Sequence, residues 1–148
     1  MKKISLQNLI IAFCILFPFT SFSEQSTHTL SIRVKGAKAN TGQVFASLFS
    51  SHENYLKKPI SKQNSPVSEE GEARFIFNEL EPGMYAVSVV YDEDGNGKLN
   101  RGFMGIPSEL VGFSNDVKGR FGPPSFDKTA FKFPESEAIV INLGDAKE

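Results

Sequence analysis

The ten residues "YDEDGNGKLN", Tyr91 to Asn100, gather three acids, two asparagines and two glycines directly after a hydrophobic run. Asp92, Asp94 and Asn96 fall on alternate positions with Gly97 behind them, the D-x-[DN]-x-[DN]-G spacing of a calcium loop. That spacing suits the chemistry because alternate side chains of a tightly curling loop turn toward one point, where hard oxygens surround a hard cation. Lys98 would add its main-chain carbonyl at the seventh position and Asn100 a side-chain oxygen at the ninth. The twelfth position, which takes a bidentate Glu, holds Phe103. The missing ligand must then come from further along the chain, with Glu109, Asp116 and Asp127 available. Without it, affinity falls toward the weak range of about 10⁻⁴ to 10⁻³ M. A bare strand-connecting turn accounts for the same residues, with Gly95 and Gly97 at positive φ and Asp92 capping its own backbone. Calcium is thus one of two readings of this loop.

Other chemistry is poorly supplied. "GNGK" is no phosphate loop, since Asp92 stands where the first Gly of G-x-x-x-x-G-K belongs and Leu99 where Ser or Thr is required. Asn100 replaces the third glycine of a dinucleotide fingerprint, and no G-x-S-x-G occurs. His28 and His52 are the only histidines, too few and too far apart for a zinc site or a nucleophile and base pair, and read as solvated side chains. A second stretch, "KGRFGPPSF" (Lys118 to Phe126), sets Arg120 between two glycines beside Phe121, with Phe126 beyond a stiff Pro-Pro step. Arg120, Phe121 and Phe126 are the candidate ligand-binding residues, an aromatic and guanidinium surface. The alternative is that Arg120 ties the long loop to Asp92 or Glu93 while the phenylalanines serve the core.

The rest of the chain must position these loops. Residues 1–23 read as a secretory signal: Lys2 and Lys3, an apolar run from Leu9 to Phe19, then Ser21 and Ser23 as small residues before a cut at Glu24. The run is too short for a spanning helix, which needs about 20 apolar residues. Phe13 before Cys14 argues against a lipoprotein. The expected exported chain, residues 24–148, loses Lys2 and Lys3 of the 16 basic residues and keeps all 17 acids, a balance near −3. No basic field is left for nucleic acid. It also loses Cys14, the single cysteine, so a hydrophobic core and no disulfide must hold it. The expected location is the periplasm or the medium outside the cell.

From Thr29 to Asp92 short apolar runs alternate with turn signals, the texture of an antiparallel β-sandwich in one domain. "TLSIRV" puts Leu30, Ile32 and Val34 on one face, and "QVFASLF" is apolar on both, as suits a central strand. Ser50 to Gly71 is polar and reads as a loop with a helical turn near Asn54 to Lys57. "ARFIF" and "MYAVSVVY", joined through Pro82 and Gly83, read as a hairpin. Asp92 to Pro134 is rich in Gly and Phe and too long for a plain loop. It is expected to be an ordered excursion that packs its phenylalanines on the sandwich. "TAFKF" should re-enter the sheet and "AIVINL" close it.

"FNELEPGMYAVSVVYDEDGNGKLN" followed by "GFMGIPSELVGFSNDVKGRFGPPSFDKTAFKF" resembles the bacterial exported proteins grouped as the domain of unknown function 2141 family. The resemblance covers nearly all of residues 24–148 and implies a transthyretin-like or immunoglobulin-like sandwich; the Phe75 to Val90 segment also resembles carboxypeptidase-regulatory and collagen-adhesin repeat modules. Asp92, Asp94, Asn96 and Gly97 match the family loop, as do Gly119, Arg120, Gly122, Pro123 and Pro124. Tyr91 stands where the family often has His, and Asn100 where it often has Asp, which moves this member away from a transition-metal or strongly acidic site. The family implies no substrate.

The function expected is that of a non-enzymatic binding or accessory module of the cell envelope, with a small ligand or an envelope partner. An enzyme working on an envelope polymer or a small exported metabolite through loop carboxylates is the alternative. It requires Asp92, Asp94, Asp116 and Asp127 to meet in a cleft. A structural subunit offering a sheet edge to a partner is the third reading.

Overall fold

The computed structural model describes residues 28–100, 102, 108–119 and 122–144. The expected signal segment, Phe103, Arg120 and Phe121 lie outside these residues. The strands are β1 (His28–Lys35), β2 (Gln43–Phe49), β3 (Ser61–Pro66), β4 (Glu72–Leu80), β5 (Gly83–Asp92), β6 (Val111–Phe113), β7 (Phe131–Phe133) and β8 (Ala138–Asn142). A 3-10 turn at Ser114–Asp116 and a single-turn helix, α1 (Phe126–Thr129), complete them.

Alternation decides the faces. In β1, Leu30, Ile32 and Val34 are buried while Ser31 and Arg33 face water, so β1 turns one side inward. It is the middle strand of a three-stranded sheet, β4-β1-β8. β4 runs antiparallel to it, with Ile32 opposite Phe75 and Val34 opposite Ala73. β8 runs parallel to β1, with Val34 opposite Ile141, so one pair of this sandwich departs from the antiparallel expectation. The second sheet is ordered β3-β2-β5-β6, and β7 also pairs with β5. Val44, Ala46 and Leu48 of β2 and Tyr85, Val87, Val89 and Tyr91 of β5 meet the first sheet in one core that also takes Phe131 and Phe133. Each such aliphatic side chain stabilises the fold by about 1.5–3 kcal/mol through burial. The all-β sandwich expected from the sequence is the fold observed.

Two expectations are corrected. β4 and β5 are no hairpin: β4 belongs to the three-stranded sheet and β5 to the other, so the Pro82-Gly83 turn carries the chain across the sandwich. Glu79 at φ 58 and the Tyr85 hydroxyl, which donates to the Glu81 carbonyl at 2.9 Å, shape that crossing. The polar stretch Ser50 to Gly71 is also no plain loop. Its "SKQNSP" forms β3, an edge strand paired with β2. With no apolar face to bury, β3 is fastened by polar contacts. The Gln63 amide donates to the Ile76 carbonyl at 3.0 Å, and the Lys62 ammonium lies 4.9 Å from the centre of the Phe45 ring. The turn expected near Asn54 is present as Lys57 and Lys58 N–H groups donating to the Asn54 carbonyl.

Outside the second sheet, Phe49, Tyr55, Ala86 and Phe126 form a smaller core. Phe126 therefore holds α1 down from beneath. Beside it the buried Ser114 hydroxyl accepts the Val87 N–H at 2.9 Å and donates to the Thr129 carbonyl at 2.6 Å. The Asn115 amide donates to the Lys128 and Ala130 carbonyls, and Asp116 accepts both the N–H and the side-chain amide of Asn142. Three consecutive polar residues thus clasp β5, the α1–β7 segment and β8. Asn115 and Asp116 sit at φ 63 and 51 to do so, a backbone region that short polar side chains tolerate best after glycine.

Candidate functional site

Asp92 ends β5, opposite Gln43 of β2. The two strands meet so closely here that a Cβ on Gly42 would run into the Asp92 carbonyl oxygen, and Gly42 lies at φ 66. The Asp92 side chain is fully buried. It accepts hydrogen bonds from the Gln43 amide at 3.1 Å and from the N–H groups of Asn96 at 3.1 Å and Gly97 at 2.9 Å. Burial pushes its carboxyl up, but the Gly97 N–H, the Gln43 amide, the adjoining Asp94 carboxyl and the Asn96 N–H outweigh burial and hold it below the ordinary carboxylate range. Asp92 is therefore ionised at neutral pH. The chain curls around it, with Gly95 and Gly97 at φ 72 and 73 as a loop of this shape demands.

Asp94 faces the same point from the loop. Its oxygens accept the Asn96 N–H at 3.1 Å, the Asn96 amide at 2.8 Å and the Asn100 amide at 2.9 Å. The Asn96 amide donates also to Asn100 Oδ1 at 2.9 Å, and its own oxygen accepts the Lys98 N–H at 2.7 Å. Asp92, Asp94, Asn96 and Asn100 thus lie in one network, with Lys98 joined to it through its backbone N–H. The spacing in the sequence points to this convergence, and the structure brings it about.

Glu109 enters from the far side. Its carboxylate accepts the Asn100 N–H at 2.9 Å and the Asn100 amide at 3.3 Å, while the Ser108 N–H donates to the Asn100 carbonyl at 2.9 Å. One oxygen each of Asp92, Asp94 and Glu109 lie within 4.8 Å of one another. Among the three acids available to replace the ligand absent at Phe103, Glu109 is the one that arrives. Asp116 is engaged by Asn142 instead, and Asp127 is exposed on α1. Of the four carboxylates that the enzyme reading asks to converge, Asp92 and Asp94 meet Glu109, and neither Asp116 nor Asp127 belongs to that close group.

Chemically, three carboxylates this close repel one another unless protons, N–H donors or a cation lie between them. Among the described residues no lysine or arginine pairs with any of the three, and Lys38 pairs with Glu93 at 3.5 Å. The asparagine amides supply the donors seen here. The donor set, carboxylate and amide oxygens on a glycine-rich loop, is that of a hard divalent cation, and imidazole or thiolate is absent from it. His28 sits by Glu137 at 3.2 Å and His52 by the Phe126 ring, both away from the group.

Sequence reasoning missed Gln43. It holds Asp92 and in turn accepts the Asn64 amide at 2.9 Å, wiring the acidic loop to the edge strand β3. Only its strand register, which puts it opposite Asp92, would have found it. Of the other candidates, Phe126 is 8 % exposed and serves the smaller core, Arg120 and Phe121 lie outside the described residues, and Gly119 and Gly122 approach so closely that a Cβ on Gly119 would strike the Gly122 carbonyl oxygen.

Comparison with curated proteins and with solved structures returned no match. Residues 32–141 match a family described as "Uncharacterized protein conserved in bacteria (DUF2141)". That span reaches from β1 to β8 and includes every residue of the acidic group, so the chain belongs to the DUF2141 family.

Proposed function

We propose that this is an exported, non-enzymatic β-sandwich module of the cell envelope in which Asp92, Asp94 and Glu109, with Asn96, Asn100 and the Lys98 main chain, hold a calcium ion. The observation that carries the reading is the approach of three carboxylate oxygens to within 4.8 Å of one another at a loop that also has calcium-loop spacing. Glu109 takes the part of the acid missing at Phe103. The ion would neutralise the group and tie the end of β5 to the start of β6, so its role is to stiffen the base of the excursion. An ion set by a ligand from outside the loop falls in the weak range of about 10⁻⁴ to 10⁻³ M, which suits a compartment where calcium is plentiful. The signal-like residues 1–23 support export, and among the described residues no helix is long and apolar enough to cross a membrane.

Calorimetric titration of residues 24–148 with calcium tests this. Saturable heat with a Kd of about 10⁻⁴ to 10⁻³ M, lost in Asp94→Ala, is expected. No heat at millimolar calcium removes the metal from the account.

A further inference from the structure

The two acids that bracket the acidic group are held in different ways. Asp92 Oδ2 accepts from both the Gln43 amide at 3.1 Å and the Gly97 N–H at 2.9 Å, whereas Oδ1 accepts from the Asn96 N–H alone at 3.1 Å. A carboxylate oxygen offers two lone-pair directions, so among the described residues Oδ2 is filled and Oδ1 keeps one direction open. On Glu109 each oxygen accepts a single donor from Asn100, at 2.9 and 3.3 Å, and each keeps a direction open. A cation entering the group thus finds one oxygen of Asp92 and both of Glu109. The donor that makes the difference is Gln43, which belongs to β2 and not to the loop.

We infer that Gln43 is the positioning residue of the proposed calcium site: it fixes Asp92 as a single-oxygen ligand, leaves the two-oxygen role to Glu109, and so sets the affinity and the choice of ion. The inference rests on the calcium reading above. With Asp94, Asn96, Asn100 and the Lys98 carbonyl, the set comes to about seven oxygens, within calcium's range and beyond magnesium's octahedron. Glutamine suits the part because it donates without adding charge. A lysine there would neutralise Asp92 and compete with the ion, and a glutamate would repel it. The orientation of the Gln43 amide is fixed from both sides. An ionised carboxylate only accepts, so the amide nitrogen faces Asp92, and Oε1 is turned to the Asn64 amide, which donates to it at 2.9 Å from an exposed position on β3. Strand register places Gln43 opposite Asp92, so this support is built into the sheet. Partners that orient a metal ligand commonly set affinity by about ten- to a hundredfold.

The test is calorimetric titration of residues 24–148 with calcium and with magnesium, comparing the parent with Gln43→Leu, Asn64→Ala and Gln63→Ala, each also unfolded by urea in chelator. Gln43→Leu is expected to bind calcium about tenfold more weakly, and Asn64→Ala about threefold, since the amide there keeps its place and loses only its orienting bond. Gln63→Ala should bind as the parent does, because the Gln63 amide, on the same strand as Asn64, goes to the Ile76 carbonyl. A residue that merely holds the strands would change unfolding in chelator and leave the calcium Kd of the folded protein as it was. A parent that takes no calcium removes the ion and this inference with it. A parent that binds calcium while Gln43→Leu binds it equally well overturns this inference alone, as does a parent that binds magnesium as tightly. Asn64 is exposed, so Asn64→Ala decides where Gln43→Leu does not fold, and undiminished calcium affinity in it also overturns the inference.

Discussion

Between His28 and Asp92 the strands run six to ten residues, and in four of the five every second side chain enters a shared apolar core. Among the described residues between Asp92 and Pro134 the strands are three residues long, and that part of the chain is held by Asp92, Glu109, Ser114, Asn115 and Asp116 reaching backbone or amide groups. The first region rests on buried area, which many residues share. The second rests on a few polar side chains, each with several partners, and on phenylalanines dropped into cores built by the first. Area is redundant; a clasp is not. A ligand at a clasp can therefore change the second region while leaving the first untouched.

The largest effect should come from the first region. Leu48→Ala, at a fully buried position between the sheets, is expected to cost about 2–5 kcal/mol in urea unfolding. A cost well below that would mean the strands are not held by area. In the second region, Ser114→Ala leaves the Val87 N–H and Thr129 carbonyl buried without their shared partner, for about 1–3 kcal/mol. If its loss were confined to faster hydrogen exchange around α1 and β7, with the strands of the first region unchanged, the separation of the two regions would be sharpened.

Acid provides a third contrast. Because the folded Asp92 carboxyl is held below its ordinary value, its stabilisation is complete above about pH 3.9 and is lost as pH falls through the lowered folded value. Asp92→Asn is expected to be about 1–2 kcal/mol less stable at pH 7, with the gap to the parent closing toward pH 2. A gap independent of pH would show that the charge is not what holds the loop. The smallest effect belongs to the exposed face of the three-stranded sheet, where Glu72 lies within 3.4–3.8 Å of Arg33, Lys35 and Arg74. Glu72→Gln should shift stability by about 0–1 kcal/mol, and less in high salt.

Legibility followed the same division. β1, β2, β4, β5 and β8 announce themselves because alternation of apolar and polar residues is a local signal read over five to ten positions. β3 does not, since an edge strand paired to β2 needs only its backbone and "SKQNSP" carries no apolar period. The crossing at Pro82-Gly83 looked like a hairpin because a tight turn between strands has the same residues whether its strands pair or part. In the site, Asp92, Asp94, Asn96 and Asn100 were legible from spacing within one loop. Glu109 could be named only as one acid among three, because its approach depends on how residues 100 and 108 are brought together. Ser114, Asn115 and Asp116 carry no periodic signal at all; their roles follow from two consecutive residues at positive φ that turn polar side chains onto three neighbouring elements.

On the proposed reading, the three carboxylates at the base of the excursion take calcium, and the bound ion stiffens that base without altering the strands. Its most direct test is to titrate ¹⁵N-labelled residues 24–148 with calcium and repeat the titration with Glu109→Gln. Shifts confined to Asp92–Asn100 and Ser108–Leu110, slower exchange of the Asn96, Gly97 and Asn100 amides, and at least about tenfold weaker binding in the variant are predicted. Shifts spread evenly over the exposed acids, or binding indifferent to Glu109, would contradict it.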